Sequence, residues 1–136
     1  MSNVFCDTSA LFTVLDRDSE GHTEAAKSWQ ALVSGDMRLV TTNYIVVEMT
    51  ALLQRRIGLE AVRRFQLDML PVIDVEWMDQ ITHDRAMQTL LTANRRQLSL
   101  VDCASFDTMR RLGITLAFQF DQHFTEQGFE RYAAAQ

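Results

Sequence analysis

The chain has 136 residues, 47% of them hydrophobic, which suits one domain with a packed core and excludes a disordered chain. Its formal net charge is −5, so average charge argues against a nucleic-acid binder unless the acids gather where a cation can fill them. No apolar stretch nears the roughly 20 residues that span a bilayer, and no basic segment with a long apolar run opens the chain. Two cysteines, Cys6 and Cys103, form neither a disulfide framework nor a zinc spacing; a reducing cytoplasm is expected, with both thiols as apolar filler.

In chain order, the short apolar run at 3–6 (NVFC) predicts a strand, ended by Asp7 and followed by a helix from "TSALFTVLD". In "HTEAAKSWQALV", Ala25, Ala26, Trp29, Leu32 and Val33 recur at helical spacing. A second strand is predicted at 38–41, then a helix over 43–56. Leu59, Val62 and Phe65 mark another helix, which Pro71 is expected to stop. A third strand is placed at 72–75, a helix over 77–93, a helix over 101–112 closed by Gly113, and a fourth strand at 114–118. No repeat, low-complexity tract or linker interrupts this order, so one domain is expected over 1–136. Strands alternating with helices predict parallel βαβ units and a sheet covered on both faces. Ligands of such sheets bind beyond the carboxyl ends of the strands. Asp7 falls there, and so does Asp121 in "FQFDQHF".

Two further acids sit on inward helical faces. Glu48 has Tyr44, Ile45, Ala51 and Leu52 three and four residues away, and Asp102 shares a stripe with Phe106 and Met109. Each acid has an ordinary explanation when taken singly. Asp7, Asp102 and Asp121 can cap helices, and Glu48 can pair with one of the many arginines. Taken together, four carboxylates at one end of a sheet cannot all stay ionised without cations. Mg²⁺ and Mn²⁺ favour such oxygen donors, and two ions some ~4 Å apart can hydrolyse a phosphodiester. Two divalent ions would offset four of the five formal negative charges.

Lysine occurs once, at Lys27, beside twelve arginines. Eight of these form Arg-Arg pairs at 55–56, 63–64, 95–96 and 110–111. Arginine's planar fork suits phosphate, but pairs just before Gly58 and Gly113 also suit helix C-termini, and most read as solvated helix ends. His22 and His83 read as surface positions. His123, two residues past Asp121, is within reach of a substrate bound there. Asp107, five residues past Asp102, reads as a surface acid or an auxiliary.

At "VFCDTSAL", "TTNYIVVEMTALL" and "LSLVDCASFDTMRRLGITLAFQFDQHFTEQGFE" the chain resembles PIN-domain proteins, and more particularly VapC-type toxins, nearly end to end. The resemblance implies a three-layer α/β/α sandwich with a central parallel sheet of four to five strands, the last at Phe129–Tyr132. It places the family's acidic quartet on Asp7, Glu48, Asp102 and Asp121, as metal ligands and catalytic groups, with Thr8 or Ser9 supporting the first aspartate. It implies a Mg²⁺- or Mn²⁺-dependent RNA endonuclease without a protein nucleophile, held by a small antitoxin and forming a homodimer. Which residues bind RNA is left open by the sequence. The rival within the family is a stand-alone PIN-like module that binds RNA or a protein without a toxin role. A receiver-type domain is a rival outside it, and it would need a late lysine that this chain lacks.

Overall fold

A computed structural model of the chain describes residues 2–134. Five strands form one all-parallel sheet in the order β3-β2-β1-β4-β5. They are β1 (Asn3–Cys6), β2 (Arg38–Thr42), β3 (Asp74–Glu76), β4 (Leu116–Phe118) and β5 (Glu130–Arg131). Seven α-helices among the described residues complete an α/β/α sandwich: α1 (Thr8–Leu15), α2 (His22–Ser34), α3 (Asn43–Arg56), α4 (Leu59–Arg64), α5 (Gln80–Ala93), α6 (Leu100–Leu112) and α7 (Gln122–Glu126).

The sheet reverses its winding between β1 and β4. From β1 the chain works outward through β2 to β3, then returns to lay β4 on the other side of β1. Val4, Phe5 and Cys6 pair with Leu116, Ala117 and Phe118 in parallel register. The ladder runs one step further, since the Asp7 N–H donates to the Phe118 carbonyl at 3.0 Å. A crevice opens at such a reversal because the two adjoining loops leave in opposite directions. Val4, Phe5, Cys6, Ala117 and Phe118 are all fully buried, as strands covered on both faces must be.

Below the crevice an aromatic cluster ties three elements together. Phe106 of α6 meets Phe124 of α7 edge to face, centroids 5.0 Å apart, and Phe124 also packs on Phe5 of β1. Edge-to-face contact sets the positive ring edge on the negative ring face, which fixes the angle as well as the distance. The α6 helix closes at Gly113 in the left-handed region (φ 70), where a side chain would be strained.

The structure corrects several local expectations. The third strand lies at Asp74–Glu76, not 72–75. Pro71 does not stop a helix that ends before it. The α4 helix loosens into a π turn (Phe65–Met69) and a 3₁₀ turn (Leu70–Val72) that holds Pro71, where its missing N–H leaves no ladder bond unmade. The helix expected over 77–93 begins at Gln80, because the Asp79 carboxylate accepts from the Thr82 N–H at 2.8 Å and caps it. The fourth and fifth strands are shorter than 114–118 and 129–132.

Candidate metal-dependent active site

The crevice is a cavity of about 560 Å³ whose walls include Asp7, Thr8, Ser9, Glu48, Ser99, Asp102 and Asp121. All four acids singled out in the sequence therefore face one space. Three of them also serve helix ends, so capping and convergence coexist. Asp7 caps α1 by accepting from the Ser9 N–H at 3.1 Å. Asp121 caps α7 by accepting from the His123 N–H at 2.9 Å. Asp102 is not the cap of α6, contrary to the capping alternative. Ser99 is, and Asp102 closes a reciprocal box three residues on, its carboxylate accepting from the Ser99 N–H at 3.1 Å. Glu48 makes no ion pair with arginine among the described residues.

Ser9 does more than support Asp7. Its hydroxyl donates to the Asp7 carboxylate at 2.6 Å and accepts the Phe120 N–H at 2.9 Å. One side chain thus joins the loop after β1 to the loop after β4. Gln119, fully buried beside it, accepts the Asp121 N–H through its side-chain carbonyl at 2.7 Å. No spacing rule in the sequence marked Gln119, because it lies just past β4 and a single amide at a strand end carries no periodic signal. The Thr8 hydroxyl is buried without a formed hydrogen bond. It lies close enough to Glu48 to favour that carboxylate, but no bond of full geometry joins them.

The electrostatics are those of crowded, half-dehydrated acids. Burial pushes the Asp7 carboxyl up to about 7, against the two Ser9 hydrogen bonds that lower it; Asp102 and Glu48 add to the rise. Burial likewise raises Glu48, opposed by Thr8 and reinforced by Asp102 and Asp121. Asp102 is raised chiefly by burial, opposed by the Ser99 N–H, then raised further by Asp121. His123 enters this cluster more closely than its place in the sequence promised. Its Nδ1 lies 3.0 Å from Asp121 and 3.7 Å from Asp102, with the side chain only 12% exposed. Donor atoms of Asp102, Asp121 and His123 all fall within 4.8 Å of one another. A hard divalent cation fits this set, because oxygen donors dominate it and no arginine or lysine ion pair neutralises any of the four acids among the described residues.

The remaining candidates lie elsewhere. Asp107 turns away to a two-point pair with Arg85, both contacts 3.0 Å. His22 and His83 are half-buried rather than free: His22 Nδ1 meets the Thr13 carbonyl at 2.8 Å, and His83 bonds the Tyr44 hydroxyl. Cys6 and Cys103 are free, buried thiols.

The PIN-domain sequence profile matches residues 4–130, nearly the whole chain and every acid of the cavity. The chain belongs to the PIN-domain family. A curated relative, the 23S rRNA-specific endonuclease VapC20 of Mycobacterium tuberculosis strain H37Rv, is 31% identical over 127 residues, 93% of this chain and 95% of its own. The same protein of strain CDC 1551 / Oshkosh matches equally. The crystal structure of Mycobacterium tuberculosis VapC20, described as a sarcin-ricin loop cleaving toxin, superposes with a TM-score of 0.84 at 30% identity. It covers 96% of this chain and 99% of that one. The five-stranded parallel sheet of this PIN domain is thus shared with a solved toxin from end to end. Among the described residues no helix is long and apolar enough to cross a membrane.

Proposed function

We propose that this PIN domain is a divalent-metal-dependent RNA endonuclease, the toxin of a toxin–antitoxin pair. The observation that carries the reading is the convergence of Asp7, Glu48, Asp102 and Asp121 on one cavity at the β1–β4 reversal, none of them neutralised by an arginine or lysine among the described residues. The likeness to a 23S rRNA endonuclease along nearly the whole chain supports it.

In this reading Asp7, Glu48 and Asp102 hold Mg²⁺ or Mn²⁺, and Asp121 completes or supports a second position. When bound, the ions supply Lewis acidity, lowering the pKa of water and offsetting charge at phosphorus and on the leaving oxygen. The chain's own residues supply placement. Ser9 fixes the rotamer of Asp7 and its distance from the β4 loop. The Ser99 N–H does the same for Asp102 and the His123 N–H for Asp121, while Gln119 holds the Asp121 backbone through its N–H. Such supporting bonds typically govern metal affinity by 10–100-fold, as an order of magnitude. Ligation also requires deprotonated Asp7, so metal uptake releases a proton near neutral pH. No side chain acts as nucleophile.

The domain spans residues 1–136 and acts in the cytoplasm. Its partners are RNA, a small antitoxin and a second copy of the chain. The first RNA to test is 23S rRNA at the sarcin–ricin loop. Purified protein is incubated with that RNA in Mg²⁺ or Mn²⁺, with and without a chelator. Cleavage that needs the metal is the expected result; an RNA left intact under every metal would overturn the reading.

A further inference from the structure

Arginines are abundant in this chain, and most are engaged. Arg38, Arg63, Arg85, Arg95 and Arg111 pair with Asp74, Glu60, Asp107, Glu126 and Glu76. Arg56, Arg110 and Arg131 lie over the rings of Phe12, Phe129 and Phe120. Arg55 does neither among the described residues, yet it is the cation on the wall of the acidic cavity. Its place follows from helical geometry. Glu48, Ala51, Leu52 and Arg55 of α3 are spaced by three, four and seven residues, so they lie on one face, and all four line the cavity. The helix thus presents a carboxylate at the acid cluster and a guanidinium two turns further out. The intervening Ala51 and Leu52 leave that path apolar. Gln97 stands on the cavity wall as well, from the loop before α6.

We propose that Arg55 is the anchor for a phosphate of the RNA strand, next to the one that the acids and their ions engage. The inference rests on the ribonuclease reading. An acidic cavity repels a polyanion wherever metal does not reach. A rim guanidinium without an acid partner can give both fork donors to non-bridging phosphate oxygens, which a lysine cannot match. Such a contact positions the strand and reads no base, so it should affect all sequences alike.

The test compares wild type with R55Q, R55K and, as a control, R64Q, whose arginine is exposed on α4 away from the cavity. A sarcin–ricin-loop oligonucleotide is the probe. Its binding is followed in Ca²⁺, and its cleavage in Mg²⁺. R55Q is expected to raise KM and Kd about tenfold with kcat changed less than about twofold. Its slope of log K against log salt should fall by about 0.7–0.9, one phosphate's worth. R55K should recover only part of the affinity, and R64Q should match wild type. Melting temperature and its rise with Mg²⁺ should be unchanged in R55Q. A wild type that cleaves beside an R55Q with the same KM and salt slope would overturn the Arg55 assignment alone. A wild type that neither binds nor cleaves would overturn the ribonuclease reading and this inference with it.

Discussion

The Ser9 hydroxyl accepts the backbone N–H of Phe120 at 2.9 Å, across 111 residues of sequence, while donating to Asp7 at 2.6 Å. The two loops that carry Asp7 and Asp121 are thereby held by one oxygen. Replacing Ser9 with alanine leaves a buried N–H and a buried carboxylate each short of a partner. A loss of about 2–4 kcal/mol is expected from bonds of this kind. Urea unfolding of metal-free protein measures it. Metal affinity, read by calorimetry, should fall by about tenfold or more.

Asp102→Asn should raise the melting temperature of metal-free protein. It removes a charge that Asp121 repels, and its side-chain carbonyl still accepts the Ser99 N–H, so the α6 cap survives. Mg²⁺ should then stabilise the variant much less than wild type. Equal stabilisation of both by Mg²⁺ would remove Asp102 from the ligand set.

The pH dependence has a definite sign. The Asp7 carboxyl is raised from 3.8 to about 7 on folding, so the folded state binds its proton more tightly than the unfolded state. Its contribution is fully present below about pH 4 and is lost as pH rises through about 7. For Asp7 alone that is about 4 kcal/mol. Glu48 and Asp102 shift in the same direction. Metal-free protein should therefore melt at lower temperature at pH 8 than at pH 6, and Asp7→Asn should flatten the trend. Mg²⁺ affinity should rise over the same interval, as protons cease to compete.

Phe124 is fully buried between Phe5, Phe106 and Phe129, beneath the α6–α7 side of the cavity. Phe124→Leu should cost about 1–2 kcal/mol by leaving space that the cluster fills only partly. Denaturant midpoints measure that, and metal affinity should drop with it because Asp102 and Asp121 lose their fixed spacing. Asp107→Asn offers the contrast. It weakens a half-exposed, solvent-screened pair with Arg85, so the denaturant midpoint should barely move and metal affinity should stay put.

Most of the frame was legible because burial has a period. Strands 3–6 and 38–41 and the helix over 43–56 follow directly from apolar patterning. The end of α6 follows from Gly113, whereas its start was read one residue late, with Asp102 rather than Ser99 as the cap, because a carboxylate and a hydroxyl three residues apart can each cap the same helix. Glu48 and Asp102 stood out because charge on an apolar stripe must have a reason, and Asp7 and Asp121 because each follows a predicted strand. The segment 65–76 was not, since its π and 3₁₀ turns have no apolar period to read, and Pro71 fits a 3₁₀ turn as well as a stop. Nor did the sequence disclose the Ser9–Phe120 bond, the Gln119 amide or the closeness of His123. Each depends on which loop meets which across the sheet, and local spacing carries no trace of that. Arg55 was read as a helix-end cation, a role the helix geometry permits and the cavity wall adds to.

The most direct test of the account is single-turnover cleavage of the sarcin–ricin-loop oligonucleotide in Mg²⁺ by wild type and Asp7→Asn. The substitution keeps an acceptor for Ser9 and removes the charge that a cation needs. The account predicts metal-dependent cleavage by wild type and a loss of about 100-fold or more in the variant, with the fold intact by circular dichroism. Cleavage by Asp7→Asn at the wild-type rate would contradict it.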